Sequence, residues 1–147
     1  MCSSDPPFAD LTLEEWDRTF ATNVRSLYLL THGVLPGMRA RGRGDIVNVA
    51  SIAGKNGVQH AVAYSASKHA VLGFSRSLML EVRKEGIRVI AVCPGSVDTP
   101  MMRNAGQFNP AWDRILKPED VAAAIVGALA LPVRAMVHEL EIRPSNP

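Results

Sequence analysis

Two short β-branched runs constrain this chain more than any other feature. Asp45–Ala50 reads DIVNVA and Ile87–Cys93 reads IRVIAVC. Neither alternates polar with apolar residues, so each predicts a strand covered on both faces. Helical periodicity precedes the first run, separates the two and follows the second. Strands alternating with helices predict parallel pairing, right-handed crossovers and helices on both faces of the sheet, an α/β fold.

The helices carry legible boundaries. Thr12-Leu13-Glu14-Glu15 is a capping box, in which the Thr12 hydroxyl accepts from the Glu15 amide and the Glu15 carboxylate reaches back. Leu13, Trp16, Phe20, Val24, Leu27 and Leu30 then recur at helical spacing. They predict one long helix from Thr12 to about Met38, with Pro36 bending its last turns and Arg41-Gly42-Arg43-Gly44 ending it. Residues 1–11 show no period and read as irregular. A second helix is predicted from Ala61 to Lys84, stopped by Glu85-Gly86. Ala63, Ser67, Ala70, Gly73 and Ser77 give it a small-residue stripe; Val71, Leu72, Phe74, Leu78, Leu80 and Val82 supply bulk. A third begins at Pro118, where proline suits a first turn, and ends near Leu131. Ser96–Lys117 reads as a loop with a short helix near Met101–Ala105, and Val137–Ile142 as a last strand.

Composition excludes several classes. A hydrophobic share of 47% is that of a folded chain, not a disordered one. A formal charge of +2 makes no case for nucleic acid, and Arg39, Arg41 and Arg43 read as a solvated helix end. Cys2 and Cys93 form no CxxC motif and no zinc-spaced pair, and the histidines are scattered, so no metal site is expected. His60 reads as a surface loop residue and Cys93 as strand packing. The longest apolar run, Val121–Val133, holds Gly127 and Pro132 and is too short to span a bilayer. With no signal-peptide pattern and cysteines suited to a reducing compartment, the expected setting is cytoplasmic, with no membrane partner.

The stretch Ser51–Lys68, SIAGKNGVQHAVAYSASK, carries the candidate chemistry. A tyrosine hydroxyl titrates near 10 in water, too high for easy proton exchange at neutral pH. A lysine four residues further along a helix lies on the same face and favours the phenolate. Tyr64 and Lys68 therefore form a tuned acid/base pair. Carbonyl/alcohol chemistry also needs a second donor at the developing oxyanion. Ser51 directly follows the first strand, and Pro94-Gly95 ends the second; the carboxyl ends of parallel strands are where open sheets bind ligands. Each piece alone is ordinary, but their order and context agree.

With Asn23 in TFATNVRS, the strand IVNVAS ending at Ser51, YSASK at Tyr64–Lys68 and CPGSVDTPM from Cys93 to Met101, the chain resembles the short-chain dehydrogenase/reductase family. The resemblance runs from about Leu11 to Pro144. It implies a partial Rossmann fold, the C-terminal portion of a doubly wound parallel sheet with about three strands and flanking helices. Residues 1–147 would form a single partial NAD(P)-binding domain, with an irregular N-terminus over 1–10 and a tail over 144–147. It implies Tyr64 as general acid/base, and Lys68 as its activator and a ligand of the nicotinamide ribose. Ser51 would orient the substrate carbonyl, and Asn23 would hold a proton-relay water. Pro94, Gly95, Val97 and Thr99 would line the nicotinamide side of NAD or NADP. The family's glycine-rich turn, TGxxxGxG, and its NAD/NADP-selecting residue have no counterpart here. The expectation is a truncated, marginally stable C-terminal part of a reductase. The activity implied is hydride transfer between a nicotinamide cofactor and a small-molecule carbonyl or secondary alcohol. The alternative is a non-catalytic remnant or subunit-binding fragment. In either case the helices 12–38 and 61–84 would make a homo-dimer or tetramer. Met101, Met102, Phe108 and Trp112 read as an apolar wall facing a substrate of unspecified identity, with Trp112 reading equally well as a core residue.

Overall fold

The computed structural model describes residues 6–105 and 110–146. Three parallel strands, β1 (Gly44–Val49), β2 (Ile87–Pro94) and β3 (Glu139–Ile142), lie in the order β1-β2-β3. Gly44 pairs with Ile87 and Val49 with Val92; Ala91 pairs with Glu139 and Pro94 with Ile142. β2, the most apolar strand, is therefore central, and every residue of it except Arg88 is buried.

Helices cover both faces, as the alternation predicts. α1 (Leu13–Phe20), α2 (Ser26–Arg41) and the long α3 (Val62–Val82) lie on one side. There Leu78, Met79 and Val82 pack on Ile46, Ile87 and Val89, and Val71 and Leu72 pack on Ala50, Ala91 and Cys93. α5 (Pro118–Leu129) covers the other face, where Val121, Ile125 and Ala128 meet Ile90, Val92 and Leu140. A short α4 (Pro100–Arg103) lies between β2 and α5. The stops at Gly42 and Gly86 have φ of 62° and 75°, the left-handed geometry that glycine adopts at a helix end without a Cβ penalty.

Four sequence expectations change. The first helix is not continuous: a π-turn over Ala21–Arg25 separates α1 from α2. The extra residue per turn rotates the apolar stripe, and Leu30 ends 70% exposed. Leu13 and Leu80 are exposed too, because no described element covers those faces. Phe8–Asp10, expected to be irregular, forms a 3-10 turn. The last strand is Glu139–Ile142 rather than 137–142; Val137 instead packs with the α5 cluster. The capping box at Thr12 is present, with the Glu15 amide donating to the Thr12 hydroxyl at 3.2 Å and the Thr12 amide to the Glu15 carboxylate at 3.0 Å.

Candidate active site

β1 delivers Ser51 to the carboxyl edge of the sheet. The Ala50 amide still donates to the Val92 carbonyl at 2.7 Å, so pairing with β2 holds until the residue before Ser51. Ser51 then caps a 3-10 turn, Ile52–Gly54, its Oγ accepting from the Ala53 amide at 3.1 Å. Accepting there leaves the hydroxyl's own proton to donate elsewhere. The turn rests on α3. A Cβ on Gly54 would come within 2.7 Å of the Lys68 carbonyl oxygen, so only glycine allows this approach. Lys55 fastens the far end of the turn to β3, 2.5 Å from Glu139 and 2.7 Å from Glu141. Those bonds hold both carboxyls below the usual carboxylate range, with Lys55 the main cause.

α3 presents Tyr64 and Lys68 one turn apart on the same face. The Lys68 ammonium lies 5.6 Å from the Tyr64 ring centroid and donates to the Val49 carbonyl at 2.9 Å. That bond ties the pair back to the end of β1. His60, just before the helix, has φ of 54°, and the next residue, Ala61, is buried.

At the end of β2, Pro94 is buried and the Gly95 amide donates to the Ile142 carbonyl at 2.8 Å. A Cβ on Gly95 would meet Pro144 Cδ at 3.3 Å, a tight contact where β3 leaves the sheet. Val97 forms an isolated parallel bridge with Leu116, and Thr99 caps α4, accepting from the Met102 amide at 3.3 Å.

These strand ends and the first turns of α3 enclose a cavity of about 430 Å³. Ser51, Tyr64, Lys68, Pro94, Gly95, Val97 and Thr99 all line it, joined by Met101 and Met102 from α4. Asn23 does not line it. It sits in the π-turn, and its amide donates to Ser67 Oγ at 2.9 Å; Ser67 in turn donates to the Tyr64 carbonyl at 2.7 Å. Asn23 therefore reaches α3 through Ser67, immediately before Lys68. Of the expected apolar wall, Met101 and Met102 are in place; Trp112 lies under the Arg103 guanidinium, 5.2 Å from its ring centroid. Phe108 lies outside the described residues. Cys93 is buried in β2, and desolvation raises its thiol's pKa, as suits packing rather than reactivity.

A family profile for short chain dehydrogenases matches residues 2–110. The chain belongs to the short-chain dehydrogenase/reductase family. It is 43% identical, over 88% of its length, to a ketoacyl reductase assigned to the monensin polyketide synthase of Streptomyces virginiae. It is 41% identical, over 74% of its length, to dehydrogenase/reductase SDR family member 6 of Danio rerio. Among solved structures, the closed form of serine dehydrogenase complexed with NADP+ superposes with a TM-score of 0.87 at 28% identity. The F189W actinorhodin polyketide ketoreductase with NADPH gives 0.83 at 34% identity, over 97% of this chain. The chain spans 57% of the monensin relative, 44% of the zebrafish one, and 62% and 63% of the two solved chains. Its three-stranded parallel sheet and flanking helices are those of the family's Rossmann-like fold. No helix among the described residues is long and apolar enough to cross a membrane, and no cluster of three or more potential metal ligands occurs among them.

Gly54 and Lys55 escape a sequence reading as contributors to this site. Gly54 looks like an ordinary loop glycine, and Lys55 meets its partners 84 and 86 residues later in the chain, with no local pattern to announce them.

Proposed function

We propose that this chain carries the proton-handling and substrate side of an NAD(P)-dependent oxidoreductase that interconverts a carbonyl and a secondary alcohol. One observation carries the reading: Ser51, Tyr64, Lys68 and the Pro94–Thr99 turn arrive from separate elements at one cavity. The cavity fits the nicotinamide end of a dinucleotide together with a small carbonyl compound. Its volume lies in the range of small-molecule sites, roughly 300–1,000 Å³. Its walls are largely apolar, with Ser51, Tyr64, Lys68, Ser96 and Thr99 as polar points. Among the described residues no glycine-rich turn stands ready for a pyrophosphate, so the fit is to the nicotinamide half only. Lys68, Pro94, Gly95, Val97 and Thr99 would hold that half, as NAD or NADP. The bound nicotinamide supplies or accepts the hydride.

The chain's own residues handle the oxygen and its proton. Tyr64 gives a proton to the substrate oxygen during reduction and takes one during oxidation. The Lys68 ammonium favours the phenolate, and its bond to the Val49 carbonyl fixes it beside the ring. Ser51 donates its hydroxyl proton to the same substrate oxygen, stabilising developing negative charge in a partly desolvated site. Asn23, through Ser67, steadies the turn of α3 that bears Tyr64 and Lys68, and carries the proton-relay water. The names of the relatives favour a ketoacyl compound as the carbonyl substrate. On this reading the whole chain is one partial nucleotide-binding unit working in the cytoplasm, paired with further copies through the helices 12–38 and 61–84. The exposed Tyr28, Leu29, Leu30 and Leu80 support that pairing. The same exposed residues favour the second reading, a subunit-binding fragment without turnover.

Reduction of ethyl acetoacetate by NADPH tests the assignment. Tyr64→Phe is expected to cut turnover by roughly 100-fold or more, with the NADPH dissociation constant, read by fluorescence, changed by less than about twofold. Unchanged turnover in that variant refutes Tyr64 as the proton donor. A wild-type chain that binds no NADPH at millimolar concentration, yet associates with a full-length family member, favours the fragment reading.

A further inference from the structure

Asp98 lies between two cavity-lining residues without lining the cavity itself. Val97 and Thr99 face the site, and the intervening carboxylate turns the other way into a cluster of donors. Arg103 donates from Nε to one oxygen at 2.6 Å and from Nη2 to the other at 2.8 Å. Lys117 donates to that second oxygen, also at 2.8 Å. The Asp98 side chain is only 10% exposed, while those of Arg103 and Lys117 are 60% and 50% exposed. A simple surface pair contributes little to stability. Fork geometry onto a shielded carboxylate that also holds a second cation is the arrangement in which such pairs count.

The placement of the three partners gives the cluster its meaning. Asp98 belongs to the exit from β2, Arg103 to the last turn of α4, and Lys117 directly precedes α5. One carboxylate therefore ties three segments. Its own amide donates to the Leu116 carbonyl at 2.8 Å, so backbone and side chain hold the same junction. Arg103 also covers the Trp112 ring, drawing the segment before α5 into the assembly. α4 spans four residues, too short to hold its orientation by helix propensity. Yet it supplies Met101 and Met102 to the cavity wall, joined by Ala105 two residues beyond its end. Something outside the helix must aim those side chains.

We propose that Asp98 is a positioning residue of the active site: its clasp on Arg103 and Lys117 sets the wall formed by Met101, Met102 and Ala105 against the substrate carbonyl. The inference rests on the reductase reading for its catalytic consequence and on the geometry alone for its structural one. Tyr64, Lys68 and Ser51 sit on α3 and at the end of β1, which the clasp does not touch. Loosening it therefore displaces the substrate-facing wall while the proton-transfer groups stay in place.

Two measurements on the 147-residue chain decide the matter. In hydrogen exchange, Asp98→Asn is expected to speed the amides of 97–105 and 110–117 by about tenfold while those of α3 stay within about twofold. Arg103→Met should reproduce the pattern and Arg103→Lys should restore part of the protection. In NADPH-dependent reduction of ethyl acetoacetate, Asp98→Asn should raise KM by about tenfold with kcat within about threefold of wild type. Exchange that is unchanged over 97–105, or that rises equally in α3, overturns the proposal. So does a fall in kcat with KM unchanged. If the wild-type chain proves inactive, the reductase reading fails for this chain and the exchange pattern alone decides whether the clasp holds the wall.

Discussion

Gly54 and His60 bracket the loop between the candidate hydrogen-bond donor Ser51 and the tyrosine helix, and each constrains it differently. At Gly54 the limit is space: a methyl group would press on the backbone of Lys68 and lie 3.1 Å from Leu72 Cδ1. Gly54→Ala should destabilise the chain by about 1–3 kcal/mol, read as a lowered unfolding temperature. It should also move the His69 amide in NMR spectra, because the obstructing Lys68 carbonyl belongs to the peptide group that carries that N–H. At His60 the limit is backbone conformation. A φ of 54° is tolerable for histidine and costly for a β-branched residue. His60→Val should cost about 1–2 kcal/mol, read as a lowered denaturant midpoint. The glycine and the histidine are visible in the sequence as loop residues. Which backbone Gly54 must approach, and which sign of φ His60 adopts, are consequences of how the loop lies on α3.

Between elements, the junction of β1 with α3 turns on a buried polar pair. Asn48 Nδ2 donates to Ser75 Oγ at 2.9 Å, and Ser75 donates to the Val71 carbonyl at 2.7 Å. Both residues are buried. Ser75→Ala leaves the Asn48 amide without its acceptor and should cost about 1–3 kcal/mol. Adding Asn48→Leu should recover much of that loss, since replacing both partners by apolar groups removes the orphaned donor; chemical denaturation of the single and double variants checks it. The helix-strand alternation, the capping box and the glycine stops were legible in the sequence because each depends on neighbours within a few residues. The π-turn was not. It has no local signature in TFATNVRS, and its place coincides with the contact that Asn23 makes with Ser67 on α3.

At the scale of the whole molecule, charge and exposed surface each predict a measurable behaviour. Asp98 is held down to about 2 from an ordinary 3.8, by Arg103 first and Lys117 second, and Glu139 and Glu141 lie below their ordinary 4.5. Each carboxyl binds its proton less tightly folded than unfolded. Their stabilisation is therefore fully present above about pH 4.5 and is lost as pH falls, Asp98's share going between 3.8 and about 2. Unfolding temperature should fall steadily on acidification below pH 4.5, and Lys55→Met should flatten that fall. β1 is an edge strand, and Tyr28, Leu29 and Leu30 stand 54–70% exposed on α2. Such surfaces drive association. Sedimentation velocity should report oligomers that Leu30→Lys with Leu29→Lys disperses. The sequence by itself determined the α/β class, the parallel order and the spacing of Tyr64 and Lys68, because strand burial and helical period are written in residues close together along the chain. Only the tertiary structure decided that Asn23 bonds Ser67 rather than lining the cavity, that Lys55 locks the Ser51 turn to β3, and that Asp98 bonds both Arg103 and Lys117. Those contacts join residues far apart in the chain or on separate elements, and they exist only once the sheet and helices have packed.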